Sequence, residues 1–532
     1  MPFIGAIRNS LSTREWAVFI AAIFIFIASL VARAAIIVNE NSVYIPVRGG
    51  SYIEGVLGQP ITINPAVSKN LADLDISSLV YSPISDLILT TEVSPDGKTY
   101  SIKLKENLKW DDGVPLTSDD IIFTIQTIQS SESRSPSAKN WQGVSMERVS
   151  ELHVIFMLPD PFSFFPNVLK RTRVIPKHIF GNIPIENFRL SAYNLEPVSS
   201  GPYKVKGFSK RRDGFITEYH LIPNPNYFGE APRIENFYFK FYQTSDELAE
   251  AFRLREVNGF GSLSPIDSMI QGTSRIKVET IPMPRYYAIF INQANNTTLK
   301  NSSIREALDI SIDKAKLAEL LGKGSVSPIF GPLTLPENAS EPNEMYNPDV
   351  AREILEKAKA QEMKLNLVVP NEQIFMDAAD FVKRSWVGVG IGEVNIFPID
   401  TETVLESTVK TRDYEMLLFG NILENPLDLF PFWYSSQRLS PKLNLSAYQN
   451  SEVDIFIENV RKSNNEKERS VNATRAASII QNDVPAIFLF TIPYFYAHTE
   501  KLAGVDANYV VTPSDRFENI TRWSVVRARV LR

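Results

Sequence analysis

The sequence predicts a mixed α/β protein of two or three domains, preceded by one apolar N-terminal helix. Three observations carry this expectation. At 532 residues the chain exceeds what a single hydrophobic core serves. Short alternating strands, turns and capped helices succeed one another, most clearly over 100–129. Residues 17–31 form an apolar run, with Arg8 and Arg14 before it and Arg33 after it.

Composition narrows the function classes. Hydrophobic content of 44% and charged content of 22% are ordinary for a globular chain. A net charge of -6 provides no basic footprint for nucleic acid. The absence of cysteine excludes disulfides, thiolate metal sites, cysteine nucleophiles and a lipid-modified cysteine. The four histidines, His153, His178, His220 and His498, are scattered without metal-ligand spacing, so no metal site and no cofactor are expected. There is no phosphate-binding G-x-x-x-x-G-K-[ST] loop, no G-x-S-x-G elbow and no H-E-x-x-H, and the sequence is read as non-catalytic. Asp111 with Asp112, and Asp119 with Asp120, are carboxylate pairs, but turn and helix-cap roles account for them.

The N-terminal run has two readings. As a signal peptide it has a basic leader, an apolar core and Ala32-Arg33-Ala34 as a small-x-small cleavage site. As an anchor it spans 17–38, with 1–16 cytoplasmic, Trp16 at the inner boundary and Arg33 snorkelling at the outer one. With no cysteine to carry a lipid, an uncleaved helix is the remaining way to hold the protein at the membrane, and the anchor is favoured. In both cases the body is exported.

Residues 39–50 are expected to be a linker. In 100–129, Tyr100, Ile102 and Leu104 alternate with polar residues as a half-buried strand, entered through a Pro95-Asp96-Gly97 turn. Asp111-Asp112-Gly113 makes a second turn. Thr117 caps a helix with Asp120 three residues on, and Ile121, Ile122, Ile125 and Ile128 form its buried stripe.

This stretch resembles the signature of the family 5 extracellular solute-binding proteins, the dipeptide- and oligopeptide-binding subunits of ABC importers. Leu104-Lys105, Trp110, Asp112-Gly113, Pro115-Leu116-Thr117 and Asp120-Ile121 carry the likeness. Ile63-Asn64-Pro65, the 75–84 segment, Ser200-Gly201-Pro202-Tyr203 and Asn224-Pro225 with Tyr227 and Pro232 agree in order, although Pro223 and Phe228 depart from the pattern. Further on, 286–292 reads as an apolar strand, Ser303 to Glu306 as a capping box, and Asn347-Pro348-Asp349 as a helix start. The remaining expectations are a turn at Asn258 to Gly261, a loop from Trp141 into a strand, a buried strand over 414–420, and helices over 381–391 and 478–483.

The resemblance implies a periplasmic-binding-protein-like fold (type II): two α/β lobes on a hinge, plus an inserted α+β domain. Lobe I would comprise 46–88, 200–290 and 490–532, the inserted domain 89–199, and lobe II 295–489. It further implies capture of a peptide in the interlobe cleft by a monomer serving ABC permease and ATPase partners. A membrane-tethered sensor or surface chaperone is the alternative role, and a nickel complex, haem or an oligosaccharide the alternative ligand. In oligopeptide-binding relatives an aspartate after the strand matching 414–420 grips the ligand's amine; here that position is Ile422. Phe419 keeps the aromatic before it, Glu424 is the nearest carboxylate, and Asn421 and Asn425 would add amide hydrogen bonds.

Overall fold

A central strand, Ser51–Leu57, runs parallel to both of its neighbours and is buried along most of its length, as expected of a strand covered on both faces. Around it a computed structural model, describing residues 12–322, 324–336, 339–341, 346–400 and 407–531, builds a seven-stranded sheet. The order is Ile276–Ile281, Tyr494–Thr499, Gly259–Ser262, Ser51–Leu57, Asn236–Tyr242, Ile216–Pro223, Tyr203–Lys210. Gly259–Ser262 was expected as a turn. It is a strand because its glycines leave room for tyrosine hydroxyls: a Cβ at Gly259 would overlap that of Tyr52, and one at Gly261 that of Tyr494. Within this core Arg516 bridges the buried carboxylates of Glu54 and Asp75 at 2.7 and 2.6 Å.

Residues between 88 and 157 form a four-stranded antiparallel sheet, ordered Ile88–Val93, Thr99–Leu104, His153–Met157, Ser145–Ser150. Helix Ser118–Gln129 opens as expected, with the Thr117 amide donating to Asp120 at 2.9 Å. The loop expected after Trp141 holds the edge strand Ser145–Ser150, whose mostly exposed residues carry no apolar alternation. Trp110, Trp141 and Phe156 belong to the same hydrophobic core as Tyr52 and Phe237. The inserted region and the seven-stranded sheet thus share one interior.

The second body is a six-stranded sheet, ordered Ser327–Pro328, Ala486–Thr491, Arg285–Ile291, Met416–Ile422, Lys364–Pro370, Glu393–Ile399. Strand Arg285–Ile291, placed by sequence inside 200–290 of lobe I, instead pairs with Met416–Ile422 and Ala486–Thr491. The crossings between the sheets therefore fall at 282–284 and 492–493, and Phe490 and Thr491 also lie on the six-stranded side. The helix expected to open with a capping box at Ser303 starts earlier, Ser302–Ile310, because the Asn301 side chain accepts from the Ser303 amide at 3.0 Å. The helices expected over 381–391 and 478–483 are longer, Gln373–Gly388 and Glu466–Asp483.

Helix Thr13–Glu40 is long and apolar enough to cross a membrane and lies outside every core. The expected linker after it contains strand Ser42–Val47, paired antiparallel with Val526–Leu531.

Candidate functional site

The two sheets meet where proline-rich crossings leave one and enter the other. Pro282, Met283 and Pro284 join Ile276–Ile281 to Arg285–Ile291, and Ile492 and Pro493 join Ala486–Thr491 to Tyr494–Thr499. Arg285 is buried between them. Its Nε donates to the Ile492 carbonyl at 2.6 Å, and its Nη2 to the carbonyls of Leu263 and Pro493 at 2.7 and 3.3 Å. Burial holds this guanidinium below its usual range.

Strand Met416–Ile422 ends beside this junction, with Ile422 opposite Arg285. The Leu423 amide then donates to the Pro284 carbonyl at 2.8 Å, turning the 423–429 loop toward the inserted region. Phe419 is half-buried and Ile422 is exposed. Asn421 is buried and points inward. Its Nδ2 donates to the Tyr286 hydroxyl at 3.0 Å, which also accepts from Trp433 Nε1 at 3.0 Å. Asn425 is buried too, its Oδ1 accepting from Asn167 Nδ2 at 2.6 Å. Glu424 remains exposed at the rim, where its Oε2 accepts from Asn140 Nδ2 at 3.2 Å. The five residues singled out from sequence lie on one strand end and its loop, but they face different ways.

The inserted region supplies partners that sequence reasoning missed. The Ser163 amide and hydroxyl donate to the carbonyls of Arg461 and Val460 at 2.7 and 3.0 Å, closing the end of helix Ser451–Lys462. Arg461 lies over the rings of Phe162 and Phe430, 4.8 and 4.0 Å from their centroids, and pairs with buried Asp428 at 3.2 Å. Burial pushes the Asp428 carboxyl up, with the Arg461 charge opposing that rise. Phe164 enters the core built by Tyr286, Leu429, Phe432 and Trp433. Asn140, Ser163 and Asn167 are ordinary polar residues of loops or helix starts; only their partners across the junction mark them.

Asp428 is matched by Arg461, whereas among the described residues no lysine or arginine pairs with Glu424. No group of three or more His, Asp or Glu side chains gathers to hold a metal ion among the described residues. A separate open groove of about 730 Å³ lies on the seven-stranded body, between its strands and helix Ser245–Arg253. Its Glu247 and Glu250 cap that helix and pair with Arg253, which are structural tasks.

Comparison with known proteins converges on one family. The family model for bacterial extracellular solute-binding proteins, family 5 Middle, matches residues 82–440. The oligopeptide-binding protein AppA of Bacillus subtilis is 25% identical over 511 residues, covering 90% of this chain and 92% of that protein. Among solved structures, the ABC transporter substrate-binding protein CtaP of Listeria monocytogenes superposes with a TM-score of 0.77 at 25% identity, covering 90% of this chain and all of that one. AppA in complex with a nonapeptide gives 0.69 at 23% identity over 91% of this chain and 100% of that one. NikZ of Campylobacter jejuni, in complex with Ni(L-His), gives 0.69 at 20% over 89% of this chain and 99% of that one. The chain thus belongs to family 5 of the bacterial extracellular solute-binding proteins, the extracytoplasmic, non-enzymatic substrate-binding subunits of ABC transporters.

Proposed function

We propose that this protein captures peptides amino-terminus first in the cleft between its two bodies and delivers them to an ABC permease and its ATPase, held at the membrane by an uncleaved N-terminal helix. The observation that carries the ligand reading is Glu424, an exposed carboxylate at the junction with no cationic partner among the described residues. A peptide ammonium there would meet net negative charge, with Phe419 beside its first side chain. Asn421 is engaged with Tyr286, and Asn425 with Asn167, so they fix the loop that presents Glu424. The likeness to the oligopeptide-binding protein AppA over 90% of the chain supports a peptide.

The carrier is proposed to work by closure about the 282–284 and 492–493 crossings, with ligand contacts to both bodies shifting the population toward the closed form. The anchor reading rests on the helix, which continues through Ala32-Arg33-Ala34 to Glu40.

Calorimetry with matched free-amine and N-acetylated peptides tests the site. Glu424→Gln should weaken free-amine peptides about tenfold, or ~1.4 kcal/mol, and leave acetylated ones unchanged. Equal loss for both, or none, would make Glu424 a loop carboxylate with a structural task. Co-purification of the full chain with two permeases and ATPases is expected; their absence would favour a free-standing sensor.

A further inference from the structure

The two-stranded ribbon that follows the N-terminal helix is amphipathic in a way the solute-binding role does not use. Opposed residues of an antiparallel pair share a face, and successive residues alternate. The register pairs Val43 with Val530, Ile45 with Ala528 and Val47 with Val526, so one face consists of six apolar residues. On the other face Tyr44 is paired with Arg529 and Pro46 with Arg527, so it carries a tyrosine and two arginines beside a proline. Arg529 Nε donates to the Ser42 hydroxyl at 2.6 Å. None of the six apolar side chains joins a hydrophobic core among the described residues. Ile45, Val526 and Val530 are exposed. The base of the ribbon is seated, where a Cβ at Gly50 would meet the side chains of Val525 and Val526 and the Gly49 amide donates to the Arg233 carbonyl at 2.7 Å. An isolated two-stranded ribbon is marginal in water, and on the apolar face of this one Val43, Val47 and Ala528 are half-buried while the other three side chains stay exposed.

Chain continuity says what lies within reach. The apolar part of the helix, 17–38, is about 33 Å long at 1.5 Å per residue, against a hydrocarbon layer of about 30 Å. The helix ends at Glu40, and Asn41 alone separates it from the first residue of the ribbon. A strand that starts one residue beyond a membrane helix starts at the bilayer surface, within reach of it. At the acyl boundary, a sheet with its apolar side down carries its other side in the layer of lipid phosphates. That is where Arg527, Arg529 and Tyr44 would stand, guanidinium against phosphate and phenol at the interface.

We propose that the 42–47 and 526–531 ribbon lies on the outer leaflet, apolar face in the acyl boundary and arginines among the headgroups, so that lobe orientation above the membrane is fixed rather than free. This rests on the retained helix. It differs from a flexible tether, because both the start and the end of the folded body are held at the surface together.

The chain has no cysteine, so a single introduced one takes a fluorophore uniquely. The full chain would be reconstituted in vesicles of phosphatidylethanolamine and phosphatidylglycerol, with an environment-sensitive label at Ile45→Cys, Ala528→Cys or Val530→Cys, or at Tyr44→Cys, Arg527→Cys or Arg529→Cys. Lipid carrying a nitroxide on its acyl chain should quench the first set by about half or more and spare the second, as expected for a face buried about 5–10 Å into the interface. Comparing the two parities cancels any general loosening caused by labelling. Equal quenching of both sets, or none, overturns the proposal, as does burial that appears only when a second copy is crosslinked at the ribbon. The mass of the exported protein is read first. Loss of the residues before 35 overturns both the anchor and the ribbon placement, whereas an intact mass without parity overturns the placement alone.

Discussion

Replacing Phe164 by alanine would separate closure from folding. Phe164 comes from the inserted region, yet its ring is buried, 6% exposed, in the core formed by Tyr286, Leu429, Phe432 and Trp433 of the six-stranded body. It precedes helix Phe165–Arg171 but makes no side-chain cap bond, so alanine leaves that helix start intact. If the bodies part about the two crossings, the ring is in water in the open form and buried only in the closed one. Full burial of a phenylalanine side chain is worth about 1.5–3 kcal/mol, and the cavity left behind adds to the loss. Taking about 2–3 kcal/mol, the closed-to-open ratio should fall about 30- to 150-fold. Small-angle scattering of the ligand-free chain should show a larger radius of gyration, and peptide affinity by calorimetry should fall. Phe164→Leu, which keeps most of the apolar area, should recover most of both. A lower melting temperature with unchanged scattering and affinity would refute the reasoning, because it would mean this contact persists in every state and the bodies do not separate there.

Two further outcomes follow from buried groups, beside the Glu424 and ribbon tests above. Tyr286→Phe leaves the Asn421 amide and the Trp433 indole without their shared acceptor; a loss of about 2–3 kcal/mol is expected in chemical denaturation, and no loss would mean another acceptor takes over. Asp428 has its carboxyl raised above the ordinary 3.8 by burial, so the native state holds that proton over a window where the unfolded chain has lost it. Its stabilisation is full below 3.8 and declines as pH rises through the raised native value. Melting curves of the parent against Asp428→Asn should therefore shift against the parent on going from pH 3.8 toward neutrality; a shift in its favour would contradict the direction.

What was legible in the sequence was local. The Pro95-Asp96-Gly97 turn, the Thr117 cap and the alternation of Tyr100, Ile102 and Leu104 each lie within a few residues, and all appear. The boundary at 282–284 was not legible, because an apolar strand such as Arg285–Ile291 carries no mark of which sheet it joins. Its partners lie more than a hundred residues downstream. The ribbon was hidden for the same reason, since the apolar parity of Ser42–Val47 becomes a continuous face only when the chain's other end is laid beside it. At the candidate site, the family resemblance singled out Phe419, Ile422 and Glu424 at the end of the 414–420 strand and in the loop after it. It could not show that Asn421 turns inward, because that depends on Tyr286 and Trp433 arriving from elsewhere.

If closure occurs as proposed, the junction gives a reason for it to occur as a unit. Both crossings contain proline, which fixes local φ and removes donors, so neither can simply extend a sheet hydrogen-bond ladder across the gap. Arg285 replaces that ladder with side-chain bonds to carbonyls of the second crossing and of Leu263. A guanidinium buried this way keeps its bonds only if Ile492, Pro493 and Leu263 hold their positions around it, because any gap would leave unpaired donors at about 1–3 kcal/mol each. The proposed closure would then be confined to rotations that carry the crossings together. On the side of the pin where the bodies face each other lie Glu424 and Asn140, Asn425 and Asn167, and Phe164 in its apolar socket. Under the proposed closure one rotation would make or break all three contacts, so a ligand that strengthened any of them would bias the whole.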